Sequence, residues 1–271
     1  MTIIFKCKSN EAYCLKILAE LLTNNIKTGC FEIDETGISL CMMDHHRRIL
    51  IDLKLHAENF TVYKFKTKKM YLGINLNHFH KMLKSIKKKD SIQLYIDNDS
   101  PTDLAIRVIP KENNRITTSY VKIQSIQNLI IDVPIGYYKP VIVSSSEYQK
   151  MCKDMGNIGN TMIVTAKNFH IEFNCDAGGI LKRTVQFGEV DDSDDEIEGD
   201  DTQEYRQEFV TEQLCRITKM SGLGTNIQIF TGRPLLFRSN IGSLGKISIY
   251  IKSKEQLDSE LCAVESDYDS E

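Results

Sequence analysis

His78-Phe79-His80-Lys81-Met82-Leu83-Lys84-Ser85-Ile86 leads through Lys87-Lys88-Lys89-Asp90 into Ser91-Ile92-Gln93-Leu94-Tyr95. Phe79, Met82, Leu83 and Ile86 recur at helical spacing, so 78–88 reads as an amphipathic helix, and the alternation that follows reads as a strand at 91–96. The same sequence of features returns 135 residues later. Lys81, Lys84, Ile92 and Gln93 correspond to Arg216, Lys219, Ile227 and Gln228, the last two inside Asn226-Ile227-Gln228-Ile229-Phe230. Shared element order and shared basic spacing point to a duplicated domain.

Working outward, Leu15, Leu18, Ala19 and Leu22 place a helix at 10–22, with Ser9 as its N-cap. Strands are expected at 30–33, 38–42 and 49–55 before the basic helix, and at 91–96, 103–109 and 116–123 after it. The second half repeats the order: a strand at 140–143, a helix at 146–156, strands at 161–165, 169–174, 179–187 and 205–210, a helix at 211–220, and strands at 226–231, 234–238 and 246–251. The fold class is therefore α+β, two similar domains of helix, strands, helix, strands. The expected division is a domain over 1–123, a connector over 124–139 containing Ile130-Ile131-Asp132-Val133-Pro134, and a domain over 140–254 with an acidic loop at 188–204. An acidic tail follows at 255–271.

The 271 residues are 41% apolar and 26% charged, as in a soluble globular protein, and no apolar run approaches the ~20 residues that span a bilayer. The start, Met1-Thr2-Ile3-Ile4-Phe5-Lys6, lacks a secretory pattern, which makes an intracellular location the expectation. Eight cysteines stand singly without CxxC spacing, so reduced thiols are expected and zinc is not. Ten acids and no base lie between Glu189 and Glu204, and seven more acids follow Lys254. Removing those seventeen charges from the net −3 leaves the remaining body at +14. Such segregation suits a polyanionic partner.

The positive charge concentrates on the four helical segments, which hold ten bases and five acids. Lys81/Lys84, Lys150/Lys153 and Arg216/Lys219 are each spaced three apart and so share a helix face. Such faces suit phosphates, which are read by charge without base identity.

Gly37-Ile38-Ser39-Leu40-Cys41-Met42-Met43-Asp44, Leu72-Gly73-Ile74-Asn75-Leu76, Ser146-Glu147-Tyr148-Gln149-Lys150-Met151-Cys152-Lys153-Asp154-Met155-Gly156-Asn157-Ile158-Gly159, Thr218-Lys219 and Pro234-Leu235-Leu236 occur in the order and spacing of one family. By these the chain resembles the proliferating cell nuclear antigen family of DNA sliding clamps over nearly its whole length, as a divergent viral member. The resemblance implies three subunits in a ring, helices lining the hole and antiparallel sheets outside. Segment 116–123 of one chain would pair with 179–187 of the next, which satisfies two sheet edges. It implies double-stranded DNA held without sequence preference, and a processivity role for DNA polymerase and other replication and repair enzymes. A clamp loader is a further implied partner, and the nucleus or a viral replication compartment the implied location.

By position, the family's DNA-facing bases fall on Lys16, Lys81, Lys84, Lys150, Lys153 and Lys219, while Thr23, Asn157 and Glu212 replace bases common in the family. Arg216, Lys87, Lys88 and Lys89 are then expected to add grip. A partner-peptide pocket is implied at Met43, Ile131, Val133, Pro234 and Tyr250, with backbone near Lys252 and Ser253 open to the peptide. Ile130 and Asp132 depart from the family pattern there. No catalytic constellation, metal site or cofactor motif is present: His45-His46 and His78-Phe79-His80 lack ligand company, the acidic run 191–201 lacks the glycine of a calcium loop, and Gly222-Leu223-Gly224 is too short for a dinucleotide motif. The second reading is a clamp-fold viral transcription or assembly factor that forms no ring. A nuclease ranks third, because most clustered carboxylates lie in the loop and the tail.

Overall fold

The computed structural model describes residues 3–112, 115–167, 170–188 and 205–268. The acidic run at 191–201, expected as a mobile loop, lies outside the described residues. The chain forms two compact units, one of residues 1–133 with 222–224 and 239–248, the other of 134–221, 225–238 and 249–271.

In the first unit the order is β1 (Ile3–Ser9), α1 (Ala12–Thr23), β2 (Thr28–Asp34), β3 (Gly37–Met43), β4 (Ile49–His56), β5 (Val62–Phe65), β6 (Lys69–Asn75), α2 (Leu76–Leu83), β7 (Ser91–Asp97), β8 (Ser100–Ile109) and β9 (Thr117–Gln124). Its strands lie in the order β4-β3-β2-β6-β9-β8-β7-β1-β5, with every neighbour antiparallel. One face of α1 buries Leu15, Leu18, Leu21 and Leu22, and α2 buries Leu76, Phe79 and Leu83. This is the apolar stripe read from the sequence, and its burial is what holds both helices to the sheet.

The second unit contains β10 (Val141–Ser144), α3 (Ser145–Met155), β11 (Thr161–Lys167), β12 (His170–Asp176), β13 (Lys182–Gly188), β14 (Tyr205–Val210), α4 (Thr211–Arg216) and β15 (Asn226–Phe230). It continues with β16 (Leu235–Ile241), β17 (Gly245–Ile251) and α5 (Lys254–Tyr268), residues 239–248 counting with the first unit. β13-β12-β11-β14 form one sheet, and β10-β15-β16-β17 are neighbours in another. Tyr148 centres the core. Its ring packs 5.4 Å from Phe237 and 6.2 Å from Phe173, and its hydroxyl donates to the Leu214 carbonyl at 2.9 Å, tying α3 to α4.

Duplication is visible in the element starts. Leu76 of α2 answers to Thr211 of α4 and Ser91 of β7 to Asn226 of β15, at the offset read from the sequence. For the first elements the offset is two residues smaller, Ala12 against Ser145 for α1 and α3, and Thr28 against Thr161 for β2 and β11. That slip is why the first helices align poorly when one offset is imposed on both.

Four elements differ from expectation. β1 and β5 were not read, although Phe5, Cys7 and Ser9 alternate inward along β1. The basic helix ends at Leu83 rather than at 88. There the Lys16 ammonium donates to the carbonyls of Lys84 at 2.8 Å and Ile86 at 3.0 Å, and the Asp90 carboxylate accepts the Lys87 N–H at 2.8 Å. The carbonyls a longer helix would bond internally are thus satisfied from outside. Lys87, Lys88 and Lys89 stand on a turn, not on a helix face. Finally, the acidic tail begins as the helix α5.

Candidate functional site

Asn75 caps α2 by accepting the His78 N–H at 3.0 Å, and from that start Lys81 and Lys84 emerge on the exposed side, away from Phe79 and Leu83. Lys87 and Lys88 are exposed beyond it. Lys16 is half-buried and serves α2 through the two carbonyl contacts above, while its ammonium and that of Lys88 sit 5.7 Å and 6.0 Å from the Tyr13 ring. In the second unit, Tyr148, Met151, Cys152 and Met155 take the inner side of α3, which leaves Lys150 and Lys153 exposed.

The candidates thereby divide. Lys81, Lys84, Lys150 and Lys153 are exposed with no acidic partner among the described residues. Arg216 is not so placed: its Nη2 and Nε reach Glu212 Oε1 at 2.6 Å and 3.2 Å across one turn of α4. Lys219 stands partly buried on the 3-10 turn Thr218–Gly222 that follows. Arg183, on β13, pairs with Asp154 of α3 at 3.4 Å and cancels an acid beside Lys153.

Two strands end in unfilled edges. β9 bonds β8 from Thr117 to Lys122 but meets β6 only at Ile123 and Gln124, so most of its other edge carries no ladder among the described residues. β13 is the outer strand of its sheet. Tyr120 on β9 is 61% exposed, and Leu181, next to β13, is 59% exposed, so apolar side chains accompany both edges.

The peptide-pocket candidates divide between the two units. In the first, Met43, Ile131 and Val133 are half-buried and Ile130 is 96% exposed. In the second, Pro234 and Tyr250 are buried, and Tyr137 of the connector covers them. Its ring lies 5.9 Å from Tyr250 and 6.1 Å from Phe230, and its hydroxyl donates to the Pro234 carbonyl at 2.6 Å. Burial, with the Tyr250 hydroxyl next, raises the Tyr137 pKa, so it remains a neutral donor. Gly232 is required beneath it, because a Cβ there would stand 2.6 Å from the Tyr137 ring.

Lys252 is engaged as well, donating to both carboxylate oxygens of Glu260 at 2.6 Å and 2.7 Å. Ser253, expected to offer backbone to a peptide, spends its N–H on Gln256 Oε1 at 3.1 Å, while its hydroxyl accepts the Gln256 N–H at 3.3 Å. This reciprocal pair is a capping box that starts α5. Tyr137 and Glu260 were missed as site residues. The Ser253-x-x-Gln256 signature was the available signal for the second, and the aromatic pair Tyr137-Tyr138 in a connector for the first.

Among the described residues no cluster of histidine, cysteine or carboxylate could hold a metal ion, and no helix is long and apolar enough to cross a membrane. The rings of His45 and His46 meet edge to face, with centroids 5.2 Å apart.

Comparison with known proteins follows the same division of the chain. Residues 4–130 match the family described as proliferating cell nuclear antigen, N-terminal domain, and residues 133–254 match its C-terminal domain. A protein of Paramecium bursaria Chlorella virus 1 named "Probable DNA polymerase sliding clamp 1" is 26% identical over 254 residues, covering 92% of this chain and 96% of the relative. A protein of Autographa californica nuclear polyhedrosis virus named "Probable DNA polymerase sliding clamp" is 23% identical over 254 residues, covering 93% and 96%. The crystal structure of proliferating cellular nuclear antigen from Entamoeba histolytica superposes with a TM-score of 0.80 at 19% identity, covering 93% of this chain and all of that one. Residues 255–271, and with them all but the first residue of α5, lie beyond the family match.

Proposed function

This chain belongs to the proliferating cell nuclear antigen family, and on that premise we propose that it is a DNA sliding clamp that closes as a homotrimer around duplex DNA and holds DNA polymerase there. The observation that carries the reading is that each unit presents a helix with exposed lysines three apart, Lys81/Lys84 on the second helix of one and Lys150/Lys153 on the first helix of the other, backed by an apolar face that fixes their direction. Lysines displayed in this way neutralise phosphates one at a time and ignore base identity, which is the chemistry of a surface that slides. The unfilled edges of β9 and β13 support closure by strand pairing between copies, with segment 116–123 against 179–187.

The clamp acts by tethering, and the chemistry belongs to the enzymes it recruits. We assign their docking to Met43, Ile131, Val133, Pro234, Tyr250 and the segment from Lys252, with Tyr137 forming the wall or moving aside. Replication or repair enzymes and a loader are the partners this reading calls for, in a nucleus or viral replication compartment. Solution mass and retention on DNA test it together: three subunits per particle and retention on nicked circular but not linear DNA are expected. A monomer that dissociates equally from both would favour the ringless clamp-fold factor instead.

A further inference from the structure

Between α3 and α4 the second unit holds an open cleft of about 650 Å³, lined by Cys152, Lys153, Gly156, Asn157, Thr211 and Cys215. Its two thiols come from different helices. Cys215 Sγ donates to the Cys152 carbonyl at 3.5 Å and Cys152 Sγ to the Leu214 carbonyl at 3.8 Å, so each thiol faces the other's helix. Their exposure differs: Cys152 is 2% exposed, whereas Cys215 is partly open to the cleft. Gly156 keeps that opening, since a Cβ there would stand 3.5 Å from Cys215 Sγ and 2.8 Å from the Cys152 carbonyl.

The asymmetry extends to acidity. The hydrogen bond from Cys152 lowers the Cys215 pKa below the ordinary thiol value, against opposing contributions from burial and from Glu212. The same bond, followed by burial, raises that of Cys152. One thiol is therefore placed to attack and the other to resolve, because the thiolate is the nucleophile and a second thiol in contact closes the disulfide.

We propose that Cys215 and Cys152 form a peroxide-responsive dithiol site whose oxidation ties α3 to α4. The Cys215 thiolate attacks one oxygen of hydrogen peroxide and, with one proton taken up, becomes a sulfenic acid while water leaves. The Cys152 thiol then attacks the Cys215 sulfur, its proton goes to the departing hydroxide as a second water, and the S–S bond forms. Peroxide accepts the two electrons. S–S closure asks for the two side chains to turn from the carbonyls they now face toward each other across the α3–α4 contact. The bond pins the helix of Lys150 and Lys153 to the one that leads to Lys219, so it acts on the basic surface without touching a lysine.

The test uses the full chain with exposed Cys262 changed to Ser, so that links between molecules do not obscure the result. Hydrogen peroxide is titrated in, and peptides are mapped by mass under non-reducing conditions. A peptide pair joined through Cys152 and Cys215, two hydrogens lighter than the reduced pair and lost with reductant, is expected, together with a rise in Tm of a few degrees. In Cys152→Ser, or Cys152→Ala should the serine variant unfold, Cys215 should still be captured as sulfenic acid by a dione probe, at a higher peroxide level because the thiol that lowers its pKa is gone. Cys215→Ser should give neither link nor capture. The proposal is overturned if Cys215 stays reduced at peroxide levels that oxidise Cys262 in the unaltered chain, or if capture occurs at Cys152 rather than at Cys215.

Discussion

Replacing Lys81, Lys84, Lys150 and Lys153 together by alanine probes the proposed inner surface without disturbing the fold, because all four are exposed and none has an acidic partner among the described residues. Each phosphate neutralised by a lysine contributes about 0.9 to the slope of log affinity against log salt, which at about 0.15 M salt is roughly fivefold, or about 1 kcal/mol. If each of three subunits loses one such contact, the slope falls by about 2.7 and affinity by roughly 10²-fold. The assay is fluorescence anisotropy on a short linear duplex across a salt series, paired with retention on nicked circular DNA. A ring makes the two readouts part company: the first weakens as stated, whereas retention once loaded holds, since escape requires opening the interface and not breaking lysine contacts. An unchanged salt slope would refute the assignment of these lysines, and parallel loss of both readouts would refute the topological mechanism.

Three further outcomes follow from named contacts. Glu260→Gln should raise affinity for a client peptide about 1.4- to 5-fold, as expected for an ion pair of about 0.2–1 kcal/mol with one partner more than half exposed, read by calorimetric titration; a loss of affinity would mean that α5 assists docking. Tyr148→Phe removes a buried hydroxyl that satisfies the Leu214 carbonyl and should cost about 1–2 kcal/mol in urea unfolding, while retention on circular DNA is unchanged. Glu11 accepts from Cys14 Sγ at 3.0 Å, Ser243 Oγ at 2.8 Å and the Ser243 N–H at 3.1 Å, and these bonds outweigh burial to hold its carboxyl below the usual range. Its folded pKa being depressed, its contribution is whole at neutral pH and is lost as pH falls through that folded value, so Glu11→Gln should lower Tm at pH 7 and have little effect under strong acid.

The duplicated plan was legible because burial imposes a period: Leu76, Phe79 and Leu83, or Leu15, Leu18 and Leu22, are hidden together on one side of a helix. What escaped depends on partners distant in sequence. The end of α2 is set by Lys16, some seventy residues earlier, and the apolar spacing through Ile86 gives no hint of it. Arg216 answers to Lys81 in the repeat, but Glu212, the acid one turn before it, decides its behaviour, and nothing at the matching place in the first half gives warning of that. At the peptide site, Tyr250 lies on the expected strand and Pro234 stands just before β16 rather than in it, and their covering by Tyr137 follows from the path of a connector with no periodicity to read. α5 carries a capping box at Ser253 and Gln256, but the excess of acids in the segment that follows reads as a solvated tail.

The sorting of bases also bears on how a clamp moves. An arginine fork recognises guanine edges or phosphate oxygens in pairs, with a geometry that favours particular positions along DNA, whereas a lysine ammonium acts as a point charge with rotatable donors. Here the exposed bases of α2 and α3 are all lysines, and the one arginine among the candidates is held by Glu212. The paired Arg216–Glu212 unit therefore keeps a position-reading group away from phosphate. Separating that pair by Glu212→Ala should strengthen equilibrium binding to linear duplex while slowing diffusion along it, measured by single-molecule tracking; faster diffusion in that variant would show that Arg216 does not act as a brake when released.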